Sequence, residues 1–295
     1  MARMSTIAGR AEDLLGTPVV ATTPVAGGDI CTATRLRLSD GRSAFVKTRP
    51  HAPENFFDVE ADGLGWLAAA GGAAVPDVLG VSDDCLILSW IEPGRPSLDG
   101  VEDFARRLGQ THAAGAAQFG GERDGYIGTV PLTNSPTDTF TEFWPSRRVL
   151  PYLKVARDRD NIGAEDAESI EAVMERIKDF AGPHEQPSRI HGDLWSGNVV
   201  WSSDGSGYLV DPAAHGGHRE TDLAMLALFG APHLARLLEA YDEAAPLADG
   251  WRARQPLHQI HPLLVHAILF GGSYGSRAGS AARSLLDGTA GNGPA

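Results

Sequence analysis

Residues 191–198 read His-Gly-Asp-Leu-Trp-Ser-Gly-Asn, a polar loop that sets Asp193 and Asn198 five positions apart, directly before the apolar run Val199-Val200-Trp201. Phosphoryl transfer in the protein-kinase manner uses that spacing: an Asp accepts the proton of the attacking hydroxyl, and an Asn five residues later holds magnesium. The same residue types also make ordinary turns, so the loop needs company to carry this meaning. The segment that follows supplies it. From Asn198 to Asp211 the chain reads as a β-hairpin, NVVWS and GYLVD flanking Ser203-Asp204-Gly205-Ser206. A hairpin returns Asp211, the first residue of Asp211-Pro212-Ala213, to the side of Asn198, where a carboxylate can bind the metal that bridges nucleotide phosphates.

Upstream, Thr32 to Thr48 alternates in character around Ser39-Asp40-Gly41-Arg42 and predicts a hairpin with Lys47 near the end of its second strand. Residues 54–70 carry Phe56, Val59, Leu64 and Leu67 at near-helical spacing and stop at Gly71-Gly72, which predicts a helix. Glu60 lies inside it, thirteen residues after Lys47, placed to form the ion pair that aims a lysine at nucleotide phosphates; the plainer alternative is two separate surface charges. Gly28, in Gly27-Gly28-Asp29, is placed for a turn whose backbone N–H groups meet phosphate. A second hairpin, Val75–Val81 and Cys85–Ile91, runs into Glu92-Pro93-Gly94, so Trp90 and Glu92 occupy the place of a hinge along an adenine edge.

Beyond Leu98 the pattern turns helical, at about 101–118, 138–158, 165–181, 220–243 and 256–270. The fold class expected is therefore α+β: a bilobal protein-kinase-like fold with a small β-rich N-terminal lobe, residues 1–91, and a larger, mainly helical lobe, residues 92–286. The Gly- and Ala-rich end, 287–295, reads as a disordered tail. Asp222 comes only eleven residues after Asp211, too close for a regulated activation segment, so activity is expected to be constitutive. In His215-Gly216-Gly217-His218-Arg219-Glu220-Thr221-Asp222, two histidines and Glu220 admit a zinc reading, but capping of the next helix by Thr221 or Asp222 is the more ordinary one. Arg219 and Asp222 are expected to brace the catalytic loop, and Trp195 to offer a flat face to a sugar.

The bulk composition narrows the partners. Twenty-five basic against 38 acidic residues give a net charge of -13, which argues against a nucleic-acid or anionic-membrane partner. Two cysteines, Cys31 and Cys85, are too few for a disulfide framework, and no stretch approaches the ~20 apolar residues of a membrane span. With an N-terminal stretch that lacks the apolar run of a signal peptide, these features predict a cytoplasmic protein.

HGDLWSGN at 191, LVDPAAHGGHRETDLAML from 209 and Phe229-Gly230 resemble the fructosamine kinase family, a branch of the kinase-like superfamily beside the aminoglycoside phosphotransferases. GGDICTATRL from 27, AFVK ending at Lys47, the segment 125–128, Asn134 and 143–148 extend the resemblance over roughly residues 27–275. It implies use of ATP and Mg²⁺ and phosphorylation of a ketosamine, small or protein-linked, on its sugar C3 hydroxyl. The unstable product releases the amine, a repair of glycation. Carried over by position, Asp193 is the base, Asn198 and Asp211 the metal ligands, Lys47 the phosphate contact and Glu60 its partner, with Trp195 and His215 beside the acceptor. Phe140 and Pro136 depart from the usual acceptor-side residues, which keeps an aminoglycoside- or choline-type acceptor as the first alternative. A catalytically silent nucleotide-binding regulator is the second.

Overall fold

The N-terminal alternation resolves, in a computed structural model that describes residues 6–26 and 30–290, into one antiparallel five-stranded sheet. Its strands are β1 (Val19–Val25), β2 (Thr32–Leu38), β3 (Ser43–Thr48), β4 (Val78–Ser82) and β5 (Cys85–Ser89), in the order β1-β2-β3-β5-β4. Both predicted hairpins are present. The edge strand β1 was not foreseen, because the interior of Val-Val-Ala-Thr-Thr-Pro-Val is exposed on both faces and carries no alternation.

The pleat sorts the sheet's residues by face. Leu36, Leu38, Val46 and Ile87 lie beneath helix α1 (Ile7–Leu15), which Thr6 caps by accepting the Gly9 N–H at 3.2 Å. Leu86 and Leu88 face the other way, against Phe57 and Leu64 of helix α2 (Phe56–Ala68). Lys47, one position from Val46, therefore points toward α2 and its Glu60.

Beyond β5 the connector is stitched to the second lobe: Gly94 N–H donates to Trp201 O at 2.7 Å and Ser203 N–H to Glu92 O at 2.8 Å. A Cβ on Gly94 would stand 2.1 Å from Ser202 O, so only glycine permits this approach.

The helical lobe opens with α3 (Leu98–Ala113), the hairpin of β6 (Gly125–Ile127) and β7 (Val130–Leu132), and α4 (Phe140–Phe143). The helix expected over 138–158 is broken. After α4 comes a π-helical turn, Trp144–Val149, and then α5 (Leu150–Asp158); Pro145 and Pro151, which have no N–H to give, fall in the first turns of the last two pieces. Next are α6 (Ala164–Glu175), α7 (Ile177–Phe180), β8 (Ser188–Ile190), the pair β9 (Val199–Trp201) and β10 (Gly207–Leu209), and β11 (His215–Gly217). Last come α8 (Arg219–Phe229), α9 (Leu234–Ala244), α10 (Trp251–Phe270) and α11 (Tyr274–Ala290). The pattern at 220–243 thus divides at Gly230, whose φ is 86°. The segment read as a tail from 287 is helical as far as Ala290.

Two cores hold this lobe. One joins α3, the β9–β10 hairpin, α8 and α9; the other joins α4 to α7 with α10 and α11. Among the described residues no helix is long and apolar enough to cross a membrane.

Candidate active site

Strand β8 delivers the chain to the 191–198 loop, and its antiparallel partner β11, with His215 opposite Ile190, fixes where that loop starts. Asp222, on the first turn of α8 and 1 % exposed, holds the loop from below: Oδ2 accepts the His191 N–H at 2.8 Å and Oδ1 the Gly192 N–H at 2.9 Å. Burial alone would raise this carboxyl; the hydrogen bond and charge of His112, with His191, hold it below the usual range. His191 is itself fully buried and kept neutral by that burial. Its Nδ1 accepts the Asp193 N–H at 3.2 Å, so Nε2 carries the proton donated to Val210 O at 2.8 Å. Gly192 sits at φ 81°, and a Cβ there would lie 2.3 Å from Ala213 O.

Asp193 and Asn198 are brought together as their spacing predicted. The Asn198 side-chain amide donates to Asp193 O at 2.8 Å and to Asp193 Oδ2 at 3.1 Å. Burial pushes the Asp193 carboxyl up to about 7; the Asn198 amide opposes this, and the charges of Asp211 and Asp222 add to it. The β9–β10 hairpin closes on Val210 N–H donating to Asn198 O at 3.0 Å, which sets Asp211 beside the loop in a left-handed conformation, φ 55°.

Asp211 Oδ1 accepts from Lys47 Nζ at 2.9 Å, and the same ammonium donates to Glu60 Oε1 and Oε2 at 2.8 and 2.9 Å. Lys47 is only 7 % exposed. Burial works against its charge, but Glu60 and Asp211 overcome it and the lysine is held protonated. Residues from β3, α2 and the β10 end, distant in sequence, thus meet at one nitrogen.

Hard oxygen donors suit a magnesium ion. Asp211 engages Lys47 through Oδ1 only, and its side chain is about half exposed (47 %). The Asn198 amide commits its nitrogen to Asp193, which turns its oxygen the other way. The donor set fits the ion.

The remaining expected site residues fall as follows. Trp90 Nε1 donates to Glu92 Oε2 at 2.9 Å, and Arg35 lies over the Trp90 ring at 4.4 Å, at the connector between the lobes. Trp195 is 40 % exposed, its ring meeting Phe229 in a T-shaped contact at 6.5 Å. His215, expected beside the acceptor, is instead buried behind the loop. Its Nδ1 lies 2.7 Å from Ala213 O, its ring packs on Phe143, and a Cβ on Gly192 would meet it at 2.9 Å. Gly28 lies outside the described residues.

The zinc reading also changes. His258 of α10, not His215, joins His218 and Glu220 within 4.8 Å, but both Glu220 oxygens already accept from Arg254, at 2.6 and 3.0 Å. Arg219 does not reach the loop; it grips Glu185 with two bonds of 2.8 Å. His112, which no motif marked, enters only through the fold, bridging Asp222 and the Tyr241 hydroxyl.

The sequence pattern of the fructosamine kinase family matches residues 3–288. A probable ketoamine kinase of Enterococcus faecium is 36 % identical over 259 residues, covering 86 % of this chain and 91 % of that protein. The solved structure of a candidate fructosamine-3-kinase from Thermobifida fusca is 45 % identical, with a TM-score of 0.92, covering 96 % of this chain and 99 % of that one. A spectinomycin phosphotransferase solved with ADP and spectinomycin, 10 % identical with a TM-score of 0.59 over 97 % of this chain and 95 % of that one, shares the fold.

Proposed function

The chain belongs to the fructosamine kinase family, and from that premise we propose that it transfers the γ-phosphoryl group of ATP to the C3 hydroxyl of a ketosamine such as a fructosamine or ribulosamine. The observation that carries this reading is the convergence on one cleft of Asp193 with Asn198 and of Asp211 with the Lys47–Glu60 pair. Asp193 orients the sugar hydroxyl and takes its proton as the O–P bond forms and the bond to ADP breaks; a carboxyl near 7 suits a base at neutral pH. Asn198 and Asp211 would hold Mg²⁺, which when bound neutralises charge on the phosphate oxygens. Lys47, kept charged and aimed by Glu60, contacts the phosphates, and the Trp90–Glu92 connector lies along the adenine. Trp195, two residues from the base and open to solvent, offers its face to the sugar.

Release of the amine from the 3-phosphorylated product makes this a deglycation step, on free or protein-linked ketosamines, and dependence on ATP suits a cytoplasmic setting. The test is Mg·ATP-dependent phosphorylation of fructosyl-lysine and ribulosyl-lysine, with choline and kanamycin as competing acceptors. Transfer to a ketosamine is expected. Asp193→Asn should lower turnover by orders of magnitude while ATP binding stays near wild type. Transfer only to choline or kanamycin would overturn the substrate, and ATP binding without transfer to any acceptor would overturn the enzyme.

A further inference from the structure

Lys47 has three protons to donate, and all three are taken, two by Glu60 and one by Asp211. The cation expected to meet the phosphates is therefore already surrounded by two carboxylates. A second cation stands two residues further along the same chain. At period two Arg49 follows Lys47 onto the α2-facing side of the sheet, and its guanidinium lies 4.9 Å over the ring of Phe56, at the start of α2. Its Nη1 is shut off from solvent and has no hydrogen-bond partner, and among the described residues no carboxylate pairs with it. Arg49 lies immediately beyond the end of β3, two residues from Lys47, whose ammonium meets Glu60 and Asp211.

A guanidinium with a buried, unused donor in this position is a mismatch that an anion corrects. A nucleotide brings one. We propose that Arg49 is a second cationic contact for the β- and γ-phosphates of the bound nucleotide, taking up the role that Lys47, tied to Glu60 and Asp211, fills only in part. The inference rests on the kinase reading above. The Phe56 ring beneath the guanidinium limits where its planar fork can point, so the charge is held ready instead of being gathered from solution on binding.

Calorimetric titration of ATP and AMP, without acceptor, into the wild type, Arg49→Gln and Arg49→Lys separates the possibilities. Arg49→Gln should weaken ATP binding about tenfold to a hundredfold, the loss expected for one charge-assisted hydrogen bond. AMP, which lacks the two outer phosphates, should bind all three proteins within about twofold, and Arg49→Lys should recover part of the ATP affinity. Unchanged ATP affinity in Arg49→Gln would overturn the role of Arg49, as would an equal loss for ATP and AMP, which would mean that Arg49 only holds the lobe in shape. A wild type that binds neither nucleotide would instead overturn the kinase reading itself.

Discussion

Replacing Asp222 by Asn removes one charge and one acceptor from a carboxylate that holds two successive backbone N–H groups of the 191–198 loop, at 2.8 and 2.9 Å. An amide has a single oxygen. Whichever N–H it keeps, the other meets an NH₂ group in a site that is 1 % exposed. An orphaned buried donor costs about 1–3 kcal/mol. Exchanging a charged acceptor for a neutral one in the surviving bond costs about 1 kcal/mol more. The sum, about 2–4 kcal/mol, should appear as a lower urea midpoint at unchanged slope. The loop it loosens carries Asp193, so turnover should fall at least about tenfold, a small displacement of a reacting group being expensive. The KM for ATP should move little, because Lys47 and the connector stay in place. A variant whose stability lies within about 0.5 kcal/mol of wild type, with normal turnover, would refute the claim that Asp222 positions the loop.

Gly192→Ala places a Cβ 2.3 Å from Ala213 O at φ 81°; thermal unfolding should report a loss of at least about 2 kcal/mol, and turnover should drop with it. Stability should also fall in mild acid. His215 is held well below its ordinary value by burial, and burial takes His218 and His261 to about 3, whereas all three return to ~6.5 when the chain unfolds. The unfolded chain then binds more protons below that pH, so these groups lose stability as pH falls from 6.5 toward 3. Asp193, at about 7, acts in the opposite sense between 7 and its unfolded value. These four groups together should make the protein about 2 kcal/mol less stable at pH 5.5 than at pH 7.5, measured by urea unfolding at the two values. A flat profile would show that these histidines take up protons without leaving their packed positions.

The parts legible in the sequence were those encoded locally. Turn chemistry at Ser39-Asp40-Gly41 and Ser203-Asp204-Gly205 marked two hairpins, and the period of α2 placed Glu60 opposite Lys47. What stayed hidden depends on contacts between segments far apart. Strand β1 pairs with β2 through backbone hydrogen bonds while its side chains face water. His112 and Tyr241 reach Asp222 only after α3 and α9 pack together. His215 was expected beside the acceptor, but the β8–β11 pairing decides which way it points, and it points inward. Arg49 carried a signal that was available, two residues after Lys47 and just past the end of β3, yet only the geometry shows that its donor is unused.

The connector described above is joined to the β9–β10 hairpin by backbone bonds from Gly94 and Ser203 and by the pairing of Pro93 with Ser202. It cannot swing alone. The strip proposed to meet adenine and the hairpin that leads from Asn198 to Asp211 are bonded into one unit, to which the N-terminal lobe is tied in turn by Leu209 N–H donating to Ala74 O at 2.8 Å. In the proposed complex the span from adenine to metal would thereby be set by the connector and the hairpin, while Lys47 is already held against Asp211 at 2.9 Å. A nucleotide would then be measured against a ruler set by glycine at position 94, and a side chain there would lengthen it.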